Sequence, residues 1–247
     1  MKKNRRSGFT LIEMAIVLVI IGIILAGVMK GRDIVRGSQV KQFSQGFAQK
    51  WVTIASTYYD KVGQHLGDGF SNGGMQPSVD GRMDNFTVFG AGAGVRSNTL
   101  QQLRDVGITP CTMIKSDLEN DTAGTSCANG YNVWARTVEG EFAGRATVYL
   151  GFASVQLGAN GPVRNAIFYE NVPIDVAVGM DTLIDGQADA SNGSAQLSEI
   201  YNAPVNAGNS NLNVGGSNPV LITPVSYPQL TGASQGALGT MLIILDY

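Results

Sequence analysis

Cysteine, histidine and charge are all scarce in this chain. Its 247 residues include two cysteines and one histidine, and Asp, Glu, Lys and Arg together make up 15%. No C-x-x-C occurs, which excludes a zinc ribbon and a dithiol redox motif. The string Gly232-Ala233-Ser234-Gln235-Gly236 fits G-x-S-x-G, but a nucleophile elbow needs Asp and then His after it. The lone histidine, His65, stands far upstream and reads as an exposed loop residue. No proline precedes Pro77, and no repeat of 20–50 residues is present. The formal charge of −2 gives no strong electrostatic footprint for nucleic acid. No catalytic residue and no cofactor is expected.

What the chain does have is one long apolar run near its beginning. A basic leader with Lys2, Lys3, Arg5 and Arg6 ends at Gly8, and Phe9 to Met29 follows with a single acid, Glu13. As a helix the run spans about 31 Å, enough to cross a bilayer core. It lacks the polar stripe of a buried core helix. It is also too long for a secretory signal and has no clean A-x-A after it. A plain anchor leaves Glu13 unexplained, since an acid in lipid costs roughly 3 kcal/mol. Cleavage after Gly8 would make Phe9 a charged amino terminus, with Glu13 one turn up the same face. That carboxylate could then pair with its own amine or with that of a neighbouring chain.

The string Gly8-Phe9-Thr10-Leu11-Ile12-Glu13, with the leader before it and the apolar run after it, resembles the class III signal of type IV pilins and type II secretion pseudopilins. The resemblance implies that a prepilin peptidase cuts after Gly8 and methylates the amine of Phe9, and that Glu13 guides docking of subunits. It implies as partners that peptidase, other pilin or pseudopilin subunits and an inner-membrane assembly platform. The subunit would sit in the inner membrane before assembly and in a periplasmic or extracellular filament afterwards. Loss of residues 1–8 removes four cations and leaves 13 Lys and Arg against 19 Asp and Glu, a formal charge of −6.

Beyond Met29 the pattern becomes amphipathic. Val40, Phe43, Phe47, Trp51, Ile54 and Tyr58 recur at three and four, opposite Lys41, Gln42, Gln45, Gln49 and Lys50. One helix is expected from Phe9 to about Val62, capped near Gly63, with its aromatic stripe packed on a head. Gly22, Gly27, Gly31, Gly37 and Gly46 interrupt it at about 1 kcal/mol each. The organisation expected is a leader at 1–8, a helix at 9–62 (membrane-spanning at 9–29, amphipathic at 30–62) and a head at 63–247.

In the head, Phe86–Phe89 reads as a short strand and Asn98–Val106 as a short helix capped by Ser97 or Asn98. Tyr131–Val138 and Arg145–Ser154 read as a hairpin turning at Glu139-Gly140-Glu141, with Ala166–Glu170 as a third strand. A short helix follows, opened by Pro173 and ended by Gly186. Ala203 to Gly236 reads mostly as loop, and Thr240–Leu245 as a buried closing strand. Cys111 and Cys127, an even pair in an exported chain, point to a disulfide worth roughly 3 kcal/mol in the chain-entropy picture.

Two head passages have loose likenesses in pilin-like proteins. Tyr58–Gly69 is similar to a YxDxxG…PGD passage without its proline, and Met180–Gly193 to an iDxxiDDGxxxxG passage with one Asp before the glycine. Major pseudopilins hold calcium late in their heads, and Asp181, Asp185 and Asp189, with Asn192, offer oxygens there. Their spacing is not an EF-hand, so no metal site is expected. Gly90-Ala91-Gly92-Ala93-Gly94 lacks the spacing of a dinucleotide loop and reads as a turn. The fold expected is α+β: a pilin-like long N-terminal helix packed on a mainly antiparallel sheet. The function expected is structural, as a subunit of a pilus-like filament. The alternatives are a pseudopilin, a minor tip subunit or adhesin, and, last, an anchored periplasmic enzyme.

Overall fold

The computed structural model describes residues 10–84, 86–87, 93–114, 127, 132–201, 219–229 and 236–247. By internal contacts the chain divides into two units, 1–38 and 39–247. In the first, the described residues belong to helix α1 (Leu11–Phe43) and the Thr10 that precedes it. Every residue from 10 to 35 is exposed, the Leu, Ile and Val side chains included.

The second unit opens with the last residues of α1, then a five-residue π-helical turn (Ser44–Ala48) and α2 (Gln49–Val62). Gly63 ends α2 in the left-handed conformation, φ 74°, and its N–H donates to the Tyr59 carbonyl at 2.7 Å. Glycine reaches that conformation without steric penalty. The single helix expected runs from Leu11 to Val62 and contains this π turn. Its wider spacing brings Phe43, Ser44, Phe47 and Ala48 all to the buried side.

The described strands form a seven-stranded sheet. Strand β3 (Gly144–Leu157) is its spine. Strands β2 (Ala135–Gly140), β1 (Phe86–Thr87) and β6 (Val220–Ile222) lie end to end along one edge of it, and β4 (Val163–Pro173) along the other. Strand β7 (Leu238–Leu245) inserts between β4 and β5 (Ala195–Tyr201). All pairings are antiparallel except β3 with β6. The architecture is therefore α+β and pilin-like, a long N-terminal helix with an antiparallel sheet.

The aromatic stripe is core. Trp51 stacks on Trp134 at 4.7 Å between centroids, meets Phe152 edge-on at 6.0 Å, and donates its indole N–H to the Val133 carbonyl at 3.1 Å. Phe47 packs edge-on to Tyr169, whose hydroxyl donates to the Ala48 carbonyl at 2.8 Å. Burying each of these rings contributes about 2–3 kcal/mol. Val40 rests on Gly179 of helix α5 (Ile174–Asp185), where a Cβ would stand 2.7 Å from Val40 Cγ1.

Several local expectations change. Helix α3 spans Ala93–Asp105, so it begins ahead of Ser97 and Asn98, and neither of them is its cap. Strand β5 has no counterpart among the expected strands, and Val220–Ile222, expected as loop, joins the sheet as β6. The expected strand at Phe86–Phe89 is described only at Phe86–Thr87, and Tyr131 lies outside the described residues. His65 is not an exposed loop residue. It is buried, 7% exposed, and packs with Tyr59 and Tyr247 in a cluster of three mutually contacting rings.

Candidate functional site

The exposed apolar helix begins with a reciprocal hydrogen-bonded box. Thr10 is its N-cap residue, since its carbonyl accepts the N–H of Met14 at 3.3 Å and the helix starts at Leu11. The Thr10 hydroxyl oxygen accepts the Glu13 N–H at 3.3 Å. In return Glu13 Oε2 accepts the Thr10 N–H at 2.7 Å and the Thr10 hydroxyl at 2.8 Å. This is the capping box of T-x-x-E, which satisfies two of the donors that every helix start leaves open. The carboxylate also lies at the positive end of the helix dipole, where negative charge is favoured. The acid that looks costly in lipid is thus partnered within its own first turn.

Thr10 is the residue missing from the sequence reading. The signal was present, because Thr10 and Glu13 have the capping-box spacing immediately before an apolar run. Gly8 and Phe9 lie outside the described residues. From Leu11 onward the helix is the one span among the described residues long and apolar enough to cross a membrane by length and composition.

Residues 3–29 match the family model described as the prokaryotic N-terminal methylation motif. The chain carries a class III signal. This is the N-terminal signal of type IV pilins and pseudopilins, and with the apolar helix it fits a pilin-like subunit held by a membrane anchor. No curated protein and no solved structure matches the chain.

The remaining sequence-marked groups do not converge on a second chemical centre. Cys111, in the short helix α4 (Pro110–Met113), is disulfide-bonded to Cys127 with 5.4 Å between Cα atoms. The aspartates of α5 and after it serve the loop that follows. Asp181 Oδ2 accepts the Ala190 N–H at 2.9 Å, and Asp185 accepts those of Ser194 and Ala195 at 3.1 and 2.8 Å. Asp189 closes an Asx turn on Ser191 and Asn192. Burial pushes the Asp181 carboxyl above its usual range, and the nearby Asp185 and Asp189 add to the effect. Among the described residues no group of three or more His, Cys, Asp or Glu is placed to hold a metal. Residues 232–235 of the G-x-S-x-G string and 90–92 of the glycine run lie outside the described residues, and Ala93 and Gly94 open α3.

A polar cleft of about 360 Å3 lies in the second unit, between the end of α1 and the β2–β3 hairpin. Gln39, Gln42, Arg136, Thr137, Glu139 and Arg145 line it, with the buried Phe43 beneath. Arg145 Nη2 donates to the Thr137 hydroxyl at 3.2 Å. The Arg136 guanidinium lies over Gly46 in the π turn, where a Cβ would stand 3.1 Å from Nη1.

Proposed function

We propose that the protein is a structural subunit of a type IV pilus-like filament. Prepilin peptidase removes residues 1–8 by cutting after Gly8 and methylates the amine of Phe9. The processed subunit waits in the inner membrane through its apolar helix, and an assembly platform transfers it into the filament. There the exposed run from Leu11 to Val35 is buried against the same run of other subunits, and apolar burial supplies the cohesion. The protein has no catalytic role in this reading.

The observation that carries the reading is the capped acid at the head of an apolar helix that is exposed from Leu11 to Val35, within a methylation motif. In a plain anchor the carboxylate does no more than cap the helix start. In a bundle of such helices it can also exchange its own threonine for the amine of a neighbour and so fix the axial offset between copies.

Mass spectrometry of the N-terminus, in cells with and without prepilin peptidase, tests this directly. The expected mature chain starts at N-methyl-Phe9 only where the peptidase is present. A chain that keeps Met1 in both strains, or that starts beyond the apolar run, sinks the filament reading. Copy number along isolated fibres then separates a major pilus subunit from a pseudopilus, priming or tip component.

A further inference from the structure

We propose that Lys30 and Arg32 bind the phosphate headgroups of anionic lipids where the apolar run leaves the bilayer. The proposal goes beyond the filament reading and needs only that the run crosses a membrane. Helix geometry sets the place. From the capping residue Thr10 to Lys30 the helix rises about 30 Å, the thickness of a bilayer's hydrocarbon core. Every residue between them is exposed, and Glu13 is the one charged side chain among these. With the box of Thr10 and Glu13 at one boundary, Lys30 stands at the other. Lys30 to Val35 takes up about 7 Å more, close to the depth of one headgroup layer.

Within that layer the helix offers what a phosphate binds. Lys30 and Arg32 are both exposed. A guanidinium takes a phosphate through two parallel hydrogen bonds, and an ammonium takes it as a point charge. Their long stems can lie along apolar surface while the charged ends reach the headgroups. Asp33 is the one acid in residues 30–35, and among the described residues no ion pair joins it to either cation. Arg36, one turn beyond Arg32, is half-buried with an interaction of its own, and the site does not draw on it.

An orientation signal does not account for these cations. Basic flanks mark the cytoplasmic end of a span. On the filament reading that is the N-terminal end, where Lys2, Lys3, Arg5 and Arg6 stand until residues 1–8 are removed. Processing then leaves the span with basic side chains at its outer end alone. There they hold the helix at one depth, so that the waiting subunit keeps Glu13 at the opposite boundary. Each Lys or Arg close to an anionic surface favours the bound state about fivefold. Asp33, beside them, works against the site and gives a second handle on it.

The full chain is purified as its cells yield it and titrated in a neutral detergent with phosphatidylglycerol or phosphatidylcholine of the same acyl chains. Native mass spectrometry counts the bound lipid. Phosphatidylglycerol is expected to bind about fivefold more tightly or better. Lys30→Gln and Arg32→Gln should each weaken its binding about fivefold, and Asp33→Asn should strengthen it, with phosphatidylcholine unchanged throughout. Lys50→Gln with Arg82→Gln, at exposed positions of the second unit, removes as much charge as the Lys30→Gln/Arg32→Gln pair and should leave the affinity intact. An intact disulfide and circular dichroism report folding of each variant. Equal affinity of the wild type for the two lipids, wild-type affinity for phosphatidylglycerol in the Lys30→Gln/Arg32→Gln pair, or an equal fall in the control pair overturns the headgroup site. So does inorganic phosphate bound as tightly as the lipid, which would make it a site for any anion. The N-terminal mass of the same preparation reports cleavage after Gly8 separately, so the filament reading and the headgroup site can each fail alone.

Discussion

Thr10 and Glu13 hold each other at the first turn of α1, glutamate N–H to threonine hydroxyl and threonine N–H to glutamate carboxylate. The box makes a cap and a charge separable. Glutamine at an N3 position can still cap, whereas alanine cannot. If the charge of Glu13 sets the register between copies, Glu13→Gln will be blocked in assembly as fully as Glu13→Ala, with cleavage after Gly8 retained in both. Thr10→Ala will lose about 1 kcal/mol of helix-start stability and assemble to a reduced level. Immunoblots of cleaved subunit and of sheared filaments give both readouts. Wild-type filament yield from Glu13→Gln would show that only the cap matters.

Trp51 is fully buried where the helix meets the sheet, with Trp134 stacked on it and Phe152 against its edge. Trp51→Ala should cost about 3–5 kcal/mol, because the cavity lies between rigid elements that cannot close over it. Trp51→Phe keeps much of the packing but leaves the Val133 carbonyl without its indole donor, for a loss of about 1–3 kcal/mol. Denaturant unfolding of the detergent-solubilised chain, followed by near-ultraviolet circular dichroism, ranks the two. Equal midpoints for Trp51→Ala and wild type would remove Trp51 from this role.

The long helix and its stripe were legible because a three-and-four recurrence of large apolar residues has one structural meaning. Strand β7 was legible as a short apolar run too short to span a membrane. Strand β5 was not, because its alternation of Ala195 and Leu197 with Gln196 and Ser198 breaks at Glu199, where the register against β7 shifts. It is a strand through its pairing with β7, where the Ser198 hydroxyl donates to the Thr240 carbonyl at 3.1 Å. The π turn was hidden because Val40, Phe43, Phe47 and Trp51 fit an unbroken α-helix equally well. At the candidate site, Glu13 stood out as an acid among apolar residues. Thr10 could have been read from the capping spacing, whereas the meeting of Arg136 with Gln39 and Gln42 joins residues about a hundred positions apart and has no local signature.

Gly151 lies opposite Phe168 across β3 and β4, and the Phe168 ring covers it so closely that a Cβ at 151 would collide with the ring. Gly151→Ala should therefore destabilise by about 1–3 kcal/mol through displacement of that ring. The cost belongs to the pair. Once Phe168→Ala has been made, adding Gly151→Ala should cost almost nothing, so a double-mutant cycle will show strong coupling. Additive losses in thermal unfolding would place the strain in the backbone of β3 instead.

His65 gives the second unit a pH-dependent contribution of definite sign. Its ring is stacked on Tyr59 at 4.7 Å and on Tyr247 at 5.7 Å, and its Nδ1 is buried without a hydrogen-bond partner. Burial holds its pKa below the ordinary 6.5, against the pull of the Asp68 carboxylate. Below 6.5 the unfolded chain takes up a proton that the folded one still refuses. The contribution is therefore fully present above 6.5 and is lost as pH falls from there through the lowered folded value. Asp84 and the buried Asp181 have raised pKa values and act with the opposite sign. His65→Phe keeps a ring in the stack and cannot titrate. Thermal unfolding from about pH 7.5 down to about 5.5 should show wild type losing stability relative to His65→Phe, with the gap opening below the ordinary imidazole pKa. Parallel curves for the two proteins across that range would show that His65 is already free to protonate in the folded state.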